Sequence, residues 1–192
     1  MRISGGIAKG RRTSTKRLIT KISSGERLRP TSSKVREALF DILRDNIEGA
    51  TFVDLYAGTG TVGFEALSRG AEDAVFVEPE ELRYREIKSS AVELGFEDKA
   101  QVVRKDAHRF LRNAVEGRRG YDIFFIDPPY KSDEIEEVLP IIGKNRLLRD
   151  GGVVIVEHFS KKKVPETAGN LRITKIYRYG DTTLTLYRKV EI

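Results

Sequence analysis

Cysteine and tryptophan are both absent from this chain of 192 residues, and methionine occurs once. Without cysteine there is no disulfide, no thiolate metal site and no covalent cysteine mechanism, so the route that attacks C6 of a pyrimidine to methylate C5 is closed. The two histidines, His108 and His158, are too few for a convincing metal site, and no metal is expected. No apolar run approaches the ~20 residues of a membrane span, and the basic, polar N-terminus is no secretory signal. A cytoplasmic protein without membrane attachment is the expectation. Hydrophobic residues make up 39% and charged residues 33%, the composition of a globular chain long enough to bury a proper core.

Charge is plentiful but unevenly spread. Lys and Arg number 35 against 29 Asp and Glu, a net charge of +6. Residues 1–36 hold 11 basic residues and a single acid, Glu26, or +10; residues 37–160 carry −9, and residues 161–192 carry +5. A basic arm beside an acidic body suggests that the arm grips a polyanion while the body binds something cationic or neutral. The candidate nucleic-acid contacts are Arg2, Lys9, Arg11, Arg12, Lys16 and Arg17, with Arg29 and Arg36 nearer the body to guide a target. A solvated tail is the plainer alternative.

Two units are expected: a basic arm or hairpin over residues 1–30 and a larger domain over residues 31–192. Residues 1–29 alternate short β-prone stretches with Gly5-Gly6, Gly10 and Ser23-Ser24-Gly25. Thr31-Ser32-Ser33 then caps a helix with Val35, Leu39, Ile42 and Leu43 on one face and Arg36, Glu37 and Asp41 on the other. From Ala50 onward strands alternate with helices. The strands are read at Thr51–Leu55, Asp73–Val77, Gln101–Arg104, Asp122–Ile126 and Val153–Val156, the helices at about 61–69, 80–94, 107–116 and 133–143. That alternation argues for a parallel sheet covered on both faces. Ile173–Tyr179 and Thr183–Lys189 flank Gly180-Asp181 as a terminal hairpin. The fold class is therefore α/β, similar to the seven-stranded, mostly parallel sheet of the Rossmann-like class I methyltransferases.

Open sheets of this kind bind ligands at the carboxyl ends of their strands. Here the first four strands end near Asp54, Glu78, Asp106 and Asp127, and the first feeds the turn Ala57-Gly58-Thr59-Gly60-Thr61-Val62-Gly63. The glycine spacing also matches a dinucleotide fingerprint. Yet Asp54 would repel a pyrophosphate, whereas S-adenosylmethionine carries an ammonium and a sulfonium and no phosphate. Asp54 suits the ammonium side, Glu78 the ribose hydroxyls and Asp106 the adenine amine. The candidate cofactor contacts are thus Asp54, Ala57, Gly58, Thr59, Gly60, Glu78, Asp106 and Ala107. The competing reading is that such acids merely cap the next helix, Asp106 above all.

Asp127-Pro128-Pro129-Tyr130 follows directly on the apolar strand Tyr121–Ile126 and is the candidate catalytic turn. An exocyclic amine of a nucleobase is a poor nucleophile because its lone pair is delocalised into the ring. The Asp127 carboxylate and the Pro128 carbonyl could take its two N–H hydrogens and free that pair. Proline has no N–H of its own, so the turn presents acceptors only. Tyr130 would stack on the extruded base.

The chain resembles the bacterial 16S ribosomal RNA guanine-N2 methyltransferases of the RsmD type. The resemblance runs through Arg2-Ile3-Ser4-Gly5-Gly6, Leu28-Arg29-Pro30-Thr31, Val35-Arg36-Glu37-Ala38-Leu39-Phe40 and Asp54-Leu55-Tyr56-Ala57-Gly58-Thr59-Gly60. It continues through Glu65-Ala66-Leu67-Ser68-Arg69-Gly70-Ala71, Phe76-Val77-Glu78, the Asp127 turn and Tyr179-Gly180. Departures are Tyr56 where the family often has Phe, Thr59 where it often has Ser, and Lys88-Ser89-Ser90 where it often carries an asparagine. The resemblance implies methyl transfer from S-adenosylmethionine to the N2 amine of a guanine, within a partly assembled small-subunit particle, by a protein expected to be monomeric. A DNA adenine-N6 methyltransferase would share the base-side motif, but it usually adds a large recognition domain for which this chain has no room. A non-catalytic RNA-binding factor would have no need of Asp127 or the glycine turn.

Overall fold

Strands that are apolar on both faces have to be covered on both, and Phe52-Val53, Phe76-Val77 and Phe124-Phe125-Ile126 are all buried in this way. The computed structural model describes residues 1–13, 32–130 and 132–190. Helix α1 (Ser33–Ile42) leads into β1 (Thr51–Asp54), α2 (Thr61–Ser68), β2 (Asp73–Val77), α3 (Glu81–Leu94) and β3 (Ala100–Val103). Then come α4 (Ala107–Glu116), β4 (Tyr121–Ile126), α5 (Glu134–Lys144), β5 (Leu148–Phe159), β6 (Thr167–Ala168), β7 (Leu171–Tyr179) and β8 (Thr182–Lys189). Phe52, Phe76, Phe125 and Ile155 point into one core with Leu39, Phe64 and Ile87 from α1, α2 and α3. Val53, Val77, Ile126 and Val156 point into the other with Leu111 and Leu139 from α4 and α5.

The sheet runs β3-β2-β1-β4-β5-β8-β7-β6, with the first five strands parallel and β8 antiparallel to β5 and β7. Chain order reverses between β1 and β4, which opens a crevice at their carboxyl ends. The expected seven strands are present, and the two-residue β6 adds an eighth at the edge beside Leu171 and Arg172. β5 is much longer than the expected Val153–Val156, because the chain rejoins the ladder at Leu148 beyond a register shift opposite Tyr121 and Ile123. Its apolar stretch marked only the part buried on both faces.

The N-terminal segment is a hairpin through residue 13, closed by the antiparallel bridge of Arg2 with Arg12 and by Ile3 N–H donating to Arg11 O at 3.1 Å. It is not a projecting arm there. Ile3 and Ala8 are buried in the α1–α2 core, and Ile7 N–H donates to Ser68 O at 2.7 Å. Gly6 makes the approach possible: at φ +73° an added Cβ would sit 1.6 Å from Ser68 O. Arg36 departs from expectation too. Placed on the solvent side of α1 by periodicity, its side chain is only 11% exposed and lies 3.7 Å from Glu65. Lys16, Arg17, Arg29 and Thr31 lie outside the described residues; Ser32 is the helix cap, its Oγ accepting from Val35 N–H at 3.3 Å.

Candidate active site

The glycine turn joins the ends of β1 and β2. Ala57 N–H donates to Val77 O at 3.0 Å, and Gly58 N–H donates to a Glu78 carboxylate oxygen at 2.9 Å. Gly58 and Gly60 adopt left-handed backbone, φ +54° and +73°, and Gly60 caps α2. A Cβ on Gly58 would meet nothing closer than 4.0 Å, so the turn faces open space there. A ligand can therefore approach the bare backbone. Thr59 is exposed and pairs its hydroxyl with that of Thr61 at 2.8 Å.

Asp54 closes β1 from below the turn, buried, with one carboxylate oxygen accepting from Gly63 N–H at 3.1 Å. Burial pushes its carboxyl up to about 7; the Gly63 N–H opposes the rise, and the nearby charges of Asp127 and Glu78 add to it. Three acids from the ends of β1, β2 and β4 thus share one field. Burial also raises the Glu78 carboxyl, against the pull of the Glu80 N–H, Arg83 and the Gly58 N–H. Arg83 stands 3.9 Å from Glu78. Acids beside an open glycine turn suit a ligand that brings positive charge and hydroxyl donors, and they disfavour a pyrophosphate.

Asp106 stands three residues beyond β3 and caps α4, accepting from Arg109 N–H at 2.8 Å. Helix capping therefore accounts for one of its two oxygens. Ala107 opens the helix and is buried. Alongside lies a network that sequence reasoning missed. The Tyr56 hydroxyl donates to Glu134 at 2.5 Å, and His108 Nε2 lies 3.3 Å from Glu134 and 3.1 Å from Glu137. Burial and the Glu134 bond raise the Tyr56 phenol. Tyrosine in place of phenylalanine at this position therefore adds a tie between the glycine turn and α5. The other histidine, His158, is a buried strand residue whose Nε2 lies 2.8 Å from the Thr185 hydroxyl.

Asp127 follows β4 at its carboxyl end, half-buried, with Pro128 buried and Pro129 exposed after it. Pro129 O accepts from the Ser132 N–H at 3.0 Å and from its hydroxyl at 2.7 Å. Tyr130 is 40% exposed and meets Phe159 edge-on, centroids 6.4 Å apart. Tyr130 also lines a cleft of about 290 Å³ with Ser32, Val35, Glu157, Tyr179 and Thr182. An exposed aromatic beside a strand-end acid is what stacking on a flipped base requires.

Of the basic candidates, Arg2, Lys9, Arg11 and Arg12 are exposed on the docked hairpin. Arg11 also donates to Leu94 O at 2.8 Å, and Arg36 reaches Arg2 O at 3.4 Å as well as Glu65. Arg36 thus pairs with a buried acid of α2, while Arg11 is tied to the end of α3. The structure brings Asp54, Ala57, Gly58, Glu78 and Asp127 together around the ends of β1, β2 and β4, with Asp106 and Ala107 at the start of α4.

Comparison with known proteins agrees with this architecture. A family model described as Conserved hypothetical protein 95 matches residues 1–188. YlbH of Bacillus subtilis (strain 168) is 35% identical over 189 residues, which cover 98% of this chain and 99% of that protein. Ribosomal RNA small subunit methyltransferase D of Escherichia coli (strain K12) is 30% identical over 189 residues, 98% of this chain and 90% of its own length. Among solved structures, yhhF of Escherichia coli superposes with a TM-score of 0.81 at 30% identity, over 98% of this chain and 97% of that one. A class I methyltransferase sheet, an acid-lined glycine turn and a match along nearly the whole chain lead to one conclusion: the chain belongs to the Conserved hypothetical protein 95 family, of RsmD type.

Proposed function

We propose that this protein methylates the N2 amine of a guanine in small-subunit ribosomal RNA, using S-adenosylmethionine. The observation that carries the reading is the shared field of Asp54, Glu78 and Asp127, which sets an acid-lined glycine turn beside an acceptor-rich turn ending in an exposed tyrosine. The names of the relatives, ribosomal RNA small subunit methyltransferase D among them, support the substrate class.

S-adenosylmethionine, when bound, would supply an electrophilic methyl group and leave as S-adenosylhomocysteine, with one proton of the amine released as the new N–C bond forms. Asp54 would face its ammonium, Glu78 its ribose hydroxyls and the Gly58–Gly60 backbone its flank. The chain's own task is to make the guanine amine nucleophilic. The Asp127 carboxylate and the Pro128 carbonyl accept its two N–H bonds, turning the nitrogen lone pair out of conjugation with the ring. Acceptors aimed at charge that develops only in the transition state raise turnover more than binding. Tyr130 holds the base plane against the turn, and the exposed cations of the hairpin hold the RNA backbone.

Labelled S-adenosylmethionine, incubated with small-subunit particles from a strain lacking the protein, tests the reading directly. Label is expected on N2 of one guanosine, mapped by mass spectrometry of nuclease digests. Label on adenine in duplex DNA, with none on the particle, would overturn it.

A further inference from the structure

Residues 161–192 carry a net charge of +5 that the reaction described above does not use. Three of those cations stand together as Lys161-Lys162-Lys163, where the chain leaves β5 at the carboxyl end it shares with β4 and Asp127. The loop is held against the catalytic turn. Lys162 Nζ donates to Ser132 O and lies 3.3 Å from Glu136 of α5, while Phe159, at the end of β5, meets Tyr130 edge-on. Ser160 fastens the other side: its N–H donates to Asp181 O at 2.8 Å and its hydroxyl to Gly180 O at 2.9 Å. Lys161 and Lys163 flank the engaged lysine and are exposed, and among the described residues neither is paired with an acid. Glu136 and Asp181, the acids of residues that touch the loop, are matched in number by Lys162 and the exposed Arg178 of β7. Lys161 and Lys163 therefore leave this part of the rim positive.

The described part of the N-terminal hairpin lies elsewhere. Ile7 docks on Ser68 and Arg11 on Leu94, the last residues of α2 and α3. Both helices start at the carboxyl ends of strands, so their last residues lie towards the opposite end of the sheet. The eight residues of α2 alone put about 12 Å between the hairpin and the glycine turn. An RNA whose target base reaches Asp127 brings the adjoining phosphates over the rim, where Asp54, Glu78 and Asp127 set a field that repels them. We propose that Lys161 and Lys163 hold the phosphates next to the target nucleotide, a second RNA contact separate from the hairpin and adjoining the catalytic turn. The inference rests on the ribosomal RNA reading above. An ammonium meets a phosphate as a compact point charge and asks for no fixed fork geometry, so lysine serves a backbone contact without reading sequence. A loop already ordered by Phe159, Ser160 and Lys162 has little backbone freedom left to lose on binding.

The test compares full-length proteins on small-subunit particles from a strain lacking the protein, with Lys162 left in place. Lys161→Gln/Lys163→Gln should lower kcat/KM on the particle roughly 10-fold at about 50 mM salt. It should also reduce the slope of log kcat/KM against log salt by about 1.4, at ~0.7 per lost phosphate contact. Affinity for S-adenosylmethionine should stay at the wild-type value, and Lys161→Arg/Lys163→Arg, which keeps both charges, should keep the wild-type slope. A slope reduction below ~0.7, less than one contact, overturns the inference. So does a loss of cofactor affinity in the glutamine double variant, or an arginine double variant that fares no better than it. A second measurement needs no variant. Labelling of the wild-type protein with acetic anhydride, read by mass spectrometry, should show Lys161 and Lys163 protected in the complex with the particle. Equal labelling with and without the particle overturns the inference even where Lys161→Gln/Lys163→Gln fails to fold. Wild-type failure to methylate the particle would instead remove the parent reading, and this inference with it.

Discussion

Ser4 grips the buried Glu65 with both of its donors, the backbone N–H on one carboxylate oxygen and the hydroxyl on the other, each at 2.8 Å. Arg69 donates to the same carboxylate at 2.9 Å, and Arg36 lies 3.7 Å away. Three segments therefore meet on one side chain of α2: the N-terminal hairpin, α1 and the helix's own last turn. This explains why an acid can stand at a fully buried position of α2, since an ion in the interior is tolerated only when its lone pairs are met.

Glu65→Ala should accordingly cost about 3–5 kcal/mol, because it strands the Arg36 guanidinium as well as Ser4. Urea denaturation at neutral pH measures this. A loss below about 1 kcal/mol would show the contacts to be incidental. Removing residues 1–13 should also destabilise the protein, since Ile3 and Ala8 belong to the core.

Asp54 gives a pH signature. Burial pushes its carboxyl up to about 7 in the folded protein, from 3.8 for an aspartate in water. Between those values the native state keeps a proton that the unfolded chain has released, so stability attributable to Asp54 falls as pH rises through this window and levels off above about 7. Asp54→Asn should flatten that part of the stability–pH curve. Affinity for S-adenosylmethionine should move the other way, rising by up to ~10-fold per pH unit as Asp54 ionises below pH 7. Calorimetric titration at pH 6 and pH 8 reads both proteins; an Asn variant with the wild-type pH dependence would remove Asp54 from the ammonium side.

Chemistry and cofactor binding should separate at the catalytic turn. Asp127→Ala is expected to collapse turnover while S-adenosylmethionine affinity stays near wild type. Tyr130→Ala should cost roughly 1–3 kcal/mol in kcat/KM through lost stacking, and Tyr130→Phe much less. Near-normal turnover by Asp127→Ala would sink the proposed activation of the amine.

Arg2, Lys9 and Arg12 are exposed on a hairpin that is fixed to the body, so they can be neutralised without unfolding it. Replacing all three with Gln should reduce the slope of log affinity for small-subunit RNA against log salt by about 2, at ~0.7 per lost phosphate contact. Filter binding at several salt concentrations would show it. An unchanged slope would mean that the hairpin serves packing alone.

Much of this architecture was legible beforehand. β2 and α4 occupy the residues that periodicity assigned, Asp73–Val77 and Ala107–Glu116. The terminal hairpin turns where Gly180-Asp181 indicated, with Gly180 at φ +62°. The acids Asp54, Glu78 and Asp127 were visible because a strand end and a glycine turn are both local signals. Asp106 was ambiguous for the same reason: a ligand contact and a helix cap ask for the same residue at the same place, and its cap to Arg109 N–H is now explicit.

Glu65, Arg36 and Glu157 were not legible. Arg36 was read as a nucleic-acid contact, and Glu65 and Glu157 were given no role of their own, because the groups that surround them come from elsewhere in the chain. Ser4 reaches Glu65 across 61 positions of sequence, and the cleft around Glu157 draws on α1, the Asp127 turn, β7 and β8. By itself the sequence determined the order of strands and helices, the glycine turn and the acceptor turn, since each depends on the spacing of neighbouring residues. Only the tertiary structure decided which charged side chains are buried together and that the N-terminal hairpin is docked. Burial of a charge is set by whatever packs against it, and that packing comes from segments no local pattern connects.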